Sequence, residues 1–361
     1  MLINLDHLVT VEIINPPRSH RQFLEEEFHF IRPGSAIEQE KDVRITFSEA
    51  ANMDPNRWVS VGAPVGYDGG GVFWHDPNYK IARIDLEHFD TRTTALAVSP
   101  DFNCHFLYKL VEYLISFKVL KHGGAFCHAS AVRYRGKTLV FPAWRHVGKT
   151  NLMLSFVEDG GELISDDGVL LLQNGEILPY SKRLHLLYFN FLAFPQLRRK
   201  TDAKMEALMK FVENARAGSY GISETRTEAL QKMIRVRLPN SDMTGREHSP
   251  ERYRCDFVVH LNRTLGRGEE SVSLRPMGLE ALVTKNTETT MFEQSHFLSA
   301  YHAYALTQSK TVPFLDSVSK RIAEVFRHGF SHAQGRYELT FNRQLDLAEA
   351  KRAINEMIYG E

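Results

Sequence analysis

The residues Gly148, Lys149 and Thr150 close the stretch "AWRHVGKT", which begins at Ala143. A glycine followed by lysine and a hydroxyl residue is the end of a phosphate-binding loop, G-x-x-x-x-G-K-[ST]. In such a loop, backbone N–H groups and the positive end of the following helix surround the phosphates. Lys149 would reach the β- and γ-phosphates, and Thr150 would ligate Mg²⁺. Ala143 stands where the pattern has its first glycine, and Trp144, Arg145, His146 and Val147 fill the middle. The methyl group of Ala143 is harmless at negative φ, whereas a histidine at 146 is costly if φ there is positive. Arg145 and His146 also offer cationic contacts to phosphate. The plainer alternative is a helix N-terminus capped by threonine.

A second constellation lies 17 residues beyond Lys149, where the apolar run "ELIS" delivers Asp166 and Asp167. Adjacent carboxylates at a strand end can divide two tasks beside a phosphate loop: one holds Mg²⁺ and the other takes the proton of an attacking hydroxyl. By itself "SDDG" also reads as an ordinary turn. His128, 21 residues before Lys149 in "AFCHASAV", comes near the loop if its strand pairs with "KTLVFP". It could then hydrogen-bond the acidic pair and tune the base; otherwise it is a satisfied core histidine.

The elements that must position these groups follow from periodicity. Apolar "TLVF" before the loop reads as a strand, and "NLMLSFVE" after it as a helix from Lys149 to about Glu158. "AFCHASAVRY" and "KTLVFP" read as two strands joined at Arg135-Gly136, and "GVLLLQ" and "EILPY" as a hairpin about Asn174-Gly175. Residues 1 to about 100 are mainly short strands, "VRITFS", "WVSVG", "GVFWH", "YKIARIDL" and "ALAVS", punctuated by "ANMDPN" and "YDGGG". An amphipathic helix covers about 103–119. Residues 196–254 are polar and helical, with 13 Lys/Arg against 8 Asp/Glu: a lid over phosphates, or simply a solvated face. Beyond them come the strands "CDFVVHL" and "SVSLRP", helices near 277–283, 290–308 and 313–327, and a last helix entered by Asp346 with Glu349 three residues on.

Bulk properties set the frame for this chemistry. The chain has 361 residues, enough for about two domains, with 43% hydrophobic and 24% charged residues, as in folded globular proteins. Its 44 basic and 44 acidic residues balance, which speaks against a dedicated nucleic-acid binder. The N-terminus lacks a signal-peptide pattern, and "FLYKLVEYLISFKVL" is too short and too charged to span a bilayer. Cys104, Cys127 and Cys255 show no metal-ligand spacing and read as small hydrophobes in a reducing compartment. The expectation is a cytoplasmic protein with no membrane and no nucleic-acid partner.

The order of the chemical parts resembles that of the HPr kinase/phosphorylase-like P-loop kinases, which are related in their core to ATP-dependent phosphoenolpyruvate carboxykinases. The resemblance runs through "CHASAVRYRGKTLVFPAWRHVGKTNLMLSFVEDGGELISDDGVLLL", residues 127–172, and extends to "EILPYSKRLHLL" and "CDFVVHLNR". It implies an α/β fold: a P-loop kinase core with a mixed sheet over 121–292 carrying the insertion at 196–254, a β-rich N-terminal region over 1–120 for recognition or scaffolding, and a helical C-terminal region over 293–361 completing the core. It implies ATP and Mg²⁺ as cofactors and phosphoryl transfer to a hydroxyl of a protein, a peptide or a small metabolite. Lys149 and Thr150 correspond to phosphate and metal binding, Asp166 to the catalytic base, Asp167 to the metal-side carboxylate and His128 to their support, with the two aspartates exchangeable. Arg183 stands where a basic residue could meet phosphate or acceptor. A homo-oligomer is compatible with this picture. Ala143 and His146 depart from the family's glycines and Arg145 from its serine, and the E-[IV]-R-G signature of true HPr kinases is absent, so HPr recognition is not implied. Two other readings are a nucleotide-binding regulatory protein with little turnover and a carboxykinase-type enzyme, for whose further substrate-binding parts this length leaves less room.

Overall fold

The computed structural model describes residues 1–28, 41–48, 59–60, 65–90, 93–180, 183–217, 223–239, 243, 251–264, 272–342 and 345–361. It is a mixed α/β protein with four sheets among the described residues. The expected turn "ANMDPN", most of the strand "WVSVG" and parts of the 196–254 segment lie outside the described residues.

The N-terminal sheet has eight strands: β1 (Leu2–Leu5), β2 (Val9–Ile14), β3 (Val43–Phe47), β4 (Val59–Ser60), β5 (Val65–Tyr67), β6 (Gly71–His75), β7 (Ile81–Asp85) and β8 (Thr94–Val98). Their order is β1-β2-β3-β8-β7-β6-β5-β4, with β2, β3 and β8 mutually parallel and the remaining neighbours antiparallel. The first two strands and helix α1 (Arg18–Glu27) were not singled out in the sequence. Helix α2 (Cys104–Lys121) starts where Asn103 accepts hydrogen bonds from the backbone N–H groups of His105 and Phe106.

The second sheet positions the loop. It is ordered β12 (Glu162–Ser165), β10 (Ala129–Tyr134), β11 (Lys137–Pro142), β18 (Phe257–Thr264), β20 (Gly335–Asn342), β19 (Val272–Pro276), and β11, β18 and β20 are parallel. Alternate residues of these strands face opposite ways: Val140 and Val258 join a core shared with the N-terminal sheet, while Leu139, Phe141, Val259 and Leu261 join a second core with helix α3 (Lys149–Glu158). A sheet buried on both faces reads as a near-continuous apolar run, which is what "TLVF" and "FVVHL" show.

The third sheet is antiparallel, β17 (Tyr253–Arg254), β14 (Glu176–Pro179), β13 (Val169–Leu172), β9 (Gly124–Cys127), and a β15 (Leu184–Leu187) and β16 (Arg235–Leu238) pair forms the fourth. The single strand expected over "AFCHASAVRY" is thus two strands in different sheets, broken at His128. The polar segment 196–254 contains α5 (Ala203–Arg216) and α6 (Glu224–Met233), preceded by α4 (Tyr188–Ala193).

The C-terminal region contributes α7 (Leu279–Glu293), α8 (Ser295–Gln308), α9 (Pro313–Asp316), α10 (Val318–Ser331) and α11 (Leu347–Tyr359). It is not wholly helical, because "GRYELTFN" forms β20 in the interior of the second sheet. That strand was missed in the sequence, where the alternation of Tyr337, Leu339 and Phe341 lies between two strongly helical stretches.

Asp256 aligns the starts of the three parallel strands. Its carboxylate accepts from the Thr138 N–H at 2.9 Å and from Gln334 Nε2 at 3.0 Å, and its carbonyl accepts from the Gln334 N–H at 2.8 Å. Asp256→Ala leaves a buried N–H without an acceptor and is expected to lower unfolding free energy by about 2 kcal/mol, read by denaturant titration. An unchanged midpoint would show that the strands hold register without it.

Candidate functional site

Two chain crossings build the site. At the first, β9 ends at Cys127 in the third sheet and β10 starts at Ala129 in the second, leaving His128 at the corner. At the second, β12 ends at Ser165 in the second sheet and β13 starts at Val169 in the third, leaving Asp166, Asp167 and Gly168 between. Asp167 has φ of 62°, a left-handed conformation that aspartate adopts more readily than most residues, and Ser165 Oγ closes the corner by donating to the Gly168 carbonyl at 2.6 Å. The "SDDG" segment is therefore a turn, and also the place where the acidic pair meets the loop.

The loop leaves β11 at Pro142, at the carboxyl end of a parallel strand, the usual ligand-facing edge in α/β sheets. Ala143 is buried and still bridges Leu261 in sheet register, and it is absent from the positive-φ residues, so its methyl group is accommodated. His146 has φ of 58°, the strained conformation that a glycine would relieve. Gly148 has φ of 116° and starts α3. Trp144, Arg145 and His146 are exposed as a lip, and Val147 packs partly against the second core.

Lys149 is 6% exposed; its Nζ lies 2.9 Å from His128 Nε2 and 3.4 Å from the Trp144 carbonyl. An ammonium donating to Nε2 leaves the ring hydrogen on Nδ1, which points to the Asp167 carbonyl at 3.2 Å, with Asp167 Oδ1 at 3.5 Å. Burial lowers the Lys149 pKa, while Asp167, Asp166 and Glu293 act in the opposite sense. Thr150 Oγ1 lies 3.0 and 3.2 Å from the two oxygens of Asp166, and Ser130 Oγ donates to Asp166 Oδ1 at 2.6 Å. Asp166 is 3% exposed, and burial together with the charge of Asp167 pushes its pKa up to about 6, against the opposing effects of Ser130, Lys149 and Thr150. Asp167 differs: its side chain is 46% exposed.

Lys149, Thr150, Asp166, Asp167 and His128 thus come together. Arg183 does not join them: its ion pair is with Glu26 of α1 at 3.4 Å, and among the described residues no hydrogen bond or ion pair links it to the loop. Sequence reasoning missed two participants. Ser130 was discoverable, lying two residues from His128 in strand periodicity. Glu293, at the end of α7, had no local signal; it holds Arg145 by a two-pronged ion pair, while Phe292 beside it packs on Trp144 with ring centroids 4.6 Å apart. The hard oxygen donors of Thr150 and Asp166, with Asp167 adjacent, are the kind that suit Mg²⁺. Among the described residues no helix is long and apolar enough to cross a membrane.

No family model matches the chain, and no curated protein matches it. Among solved structures, the chain is similar to the Hpr(Ser) kinase/phosphatase from Coxiella burnetii, with 12% identity, a TM-score of 0.22, and coverage of 50% of this chain and 98% of that one. So distant a likeness transfers no residue role.

Because the folded-state pKa of Asp166 is raised, its contribution to stability is fully present below about pH 4 and is lost as pH rises through about 6. Asp166→Asn is expected to equal wild type in stability near pH 4 and to exceed it at pH 7.5 by on the order of 2 kcal/mol. Parallel pH–stability curves would refute the raised pKa. His146→Gly is expected to add about 1 kcal/mol in the same denaturant assay by removing the left-handed strain.

Proposed function

We propose that the protein is a Mg²⁺- and ATP-dependent kinase that transfers a phosphoryl group to an alcohol. The observation that carries this reading is the convergence of Lys149 and Thr150, at the start of a helix that follows a strand and tight loop, on the Asp166–Asp167 corner. Phosphoryl transfer depends chiefly on positioning and electrostatics, so a buried lysine, an N-terminal helix end and two carboxylates are sufficient equipment. Lys149 leaves His128 and the Trp144 carbonyl for the phosphates, and the loop N–H groups and Arg145 neutralise further charge.

The geometry favours exchanging the two aspartates relative to the family correspondence. Asp166, buried and bonded to Thr150 and Ser130, is the metal-side carboxylate, and Asp167, half-exposed beside His128, accepts the proton of the attacking hydroxyl. Bound Mg²⁺ would be held by Thr150 and Asp166 and would supply charge neutralisation at the phosphates. His128 orients Asp167 and keeps Lys149 in the site while no phosphate is bound.

A second reading, a nucleotide-binding regulatory protein with little turnover, draws on the lip: Arg145 is tied to Glu293, Trp144 to Phe292, and His146 is strained. Calorimetry with ATP and Mg²⁺, followed by phosphate transfer from labelled ATP, separates the two. Lys149→Ala is expected to abolish nucleotide binding. Asp167→Asn is expected to leave binding within a few-fold and to lower kcat by about 10²- to 10⁴-fold. Binding that survives Lys149→Ala would refute the phosphate loop, and binding without any turnover would select the regulatory reading.

A further inference from the structure

A cavity of about 380 Å³ adjoins the loop lip. That volume suits a small molecule. Its apolar walls are the rings of Phe126, Tyr180 and Phe292 with Leu170, and its polar groups include Glu112 from α2 and the Arg145–Glu293 pair. Two of its walls pack against the aspartate corner: a Cβ added to Gly168, the residue after Asp167, would lie 2.6 Å from Phe126 Cζ and 3.7 Å from Tyr180 Cδ1. Glu293 is also close enough to His128 and Asp167 for each to influence its ionisation.

The charges in this cavity are arranged asymmetrically. The carboxylate-bearing side chains are sheltered, Glu112 at 11% and Glu293 at 20% exposure, whereas their cationic partners Lys109 and Arg145 are 59% and 51% exposed. Solvent screens the outer cations more than the inner anions, so the interior favours a positive group. Glu112 accepts from Tyr108 Oη at 2.9 Å and from Lys109 Nζ at 2.8 Å. If Arg145 turns to a nucleotide phosphate, Glu293 is released toward the cavity as well.

We propose, resting on the kinase reading above, that this cavity is the acceptor pocket and that it takes a small amphipathic amino alcohol. Its apolar or aromatic body lies against Phe126, Leu170, Tyr180 and Phe292, its ammonium faces Glu112 and Glu293, and its hydroxyl faces Asp167. In the transfer the hydroxyl oxygen forms a bond to the γ-phosphorus of ATP. The bond from that phosphorus to the β–γ bridging oxygen breaks, ADP leaves with the electron pair, and the hydroxyl proton passes to Asp167.

The test uses the full chain and three probes of similar shape: phenylalaninol, the neutral 3-phenyl-1-propanol and the anionic 3-phenylpropanoate. Binding is measured by calorimetry with and without ATP and Mg²⁺, and nucleotide binding is measured separately. Phenylalaninol is expected to bind at least tenfold more tightly than either other probe. Glu112→Gln is expected to weaken it at least fivefold, and Ser116→Trp, which places an indole in the cavity, to abolish it, both variants keeping wild-type ATP affinity. Equal binding of the three probes, no binding of any, or indifference to Glu112→Gln in a chain that binds ATP would overturn the pocket while leaving the kinase reading in place. Phenylalaninol binding through Glu112 in a chain that binds no nucleotide would keep the cavity's ligand class and sink the kinase reading.

Discussion

Two of the chain's passages between the second and third sheets lie at one seam, and the rest of the site depends on that constraint. β9 and β10 form one crossing, β12 and β13 the other, and β10 pairs with β12 while β9 pairs with β13. Each crossing leaves residues between strands, His128 at one and Asp166 to Gly168 at the other. Because the flanking strands are paired, these residues cannot drift apart. Side chains at two such corners are held by rigid elements on both sides, which is the condition for precise placement of reacting groups.

The second requirement is charge compensation in a buried space. Lys149 and Asp166 are both nearly inaccessible to water, and either one alone would strongly resist ionisation. The cluster distributes the burden: Ser130 and Thr150 hydrogen-bond Asp166, His128 accepts from Lys149, and the carboxylates of Asp166, Asp167 and Glu293 surround the lysine. In such a network each hydrogen bond polarises and strengthens its neighbours. It also explains why the loop remains ordered with His146 at positive φ, since the strain of one exposed residue is small against the packing of Ala143, Lys149 and α3.

The lip shows how tertiary contacts alter a local motif. Trp144 and Arg145 would be loose on an isolated loop, yet α7 ends beside them and supplies Phe292 as a tilted ring contact and Glu293 for pairing. The same two residues wall the adjoining cavity, so one helix end serves both the loop and the pocket.

The strand before Lys149, the helix after it, the Asn174-Gly175 hairpin and the delivery of Asp166 and Asp167 at a strand end were all legible, because each depends on residues close in sequence. The break at His128 was not, since "AFCHASAV" alternates smoothly and only the pairing partners of its two halves differ. Nor were β20, whose neighbours are distant strands, and Glu293, which reaches the loop from a helix far along the chain. The sequence by itself determined the chemical inventory and its local geometry, through glycine conformation, periodicity and turn preference. Tertiary structure alone decided which carboxylate is buried against Thr150 and which stands half-exposed beside His128, that Arg183 pairs with Glu26, and that a cavity opens beside Arg145. Those outcomes depend on long-range strand pairing and burial, and no residue type specifies its own burial.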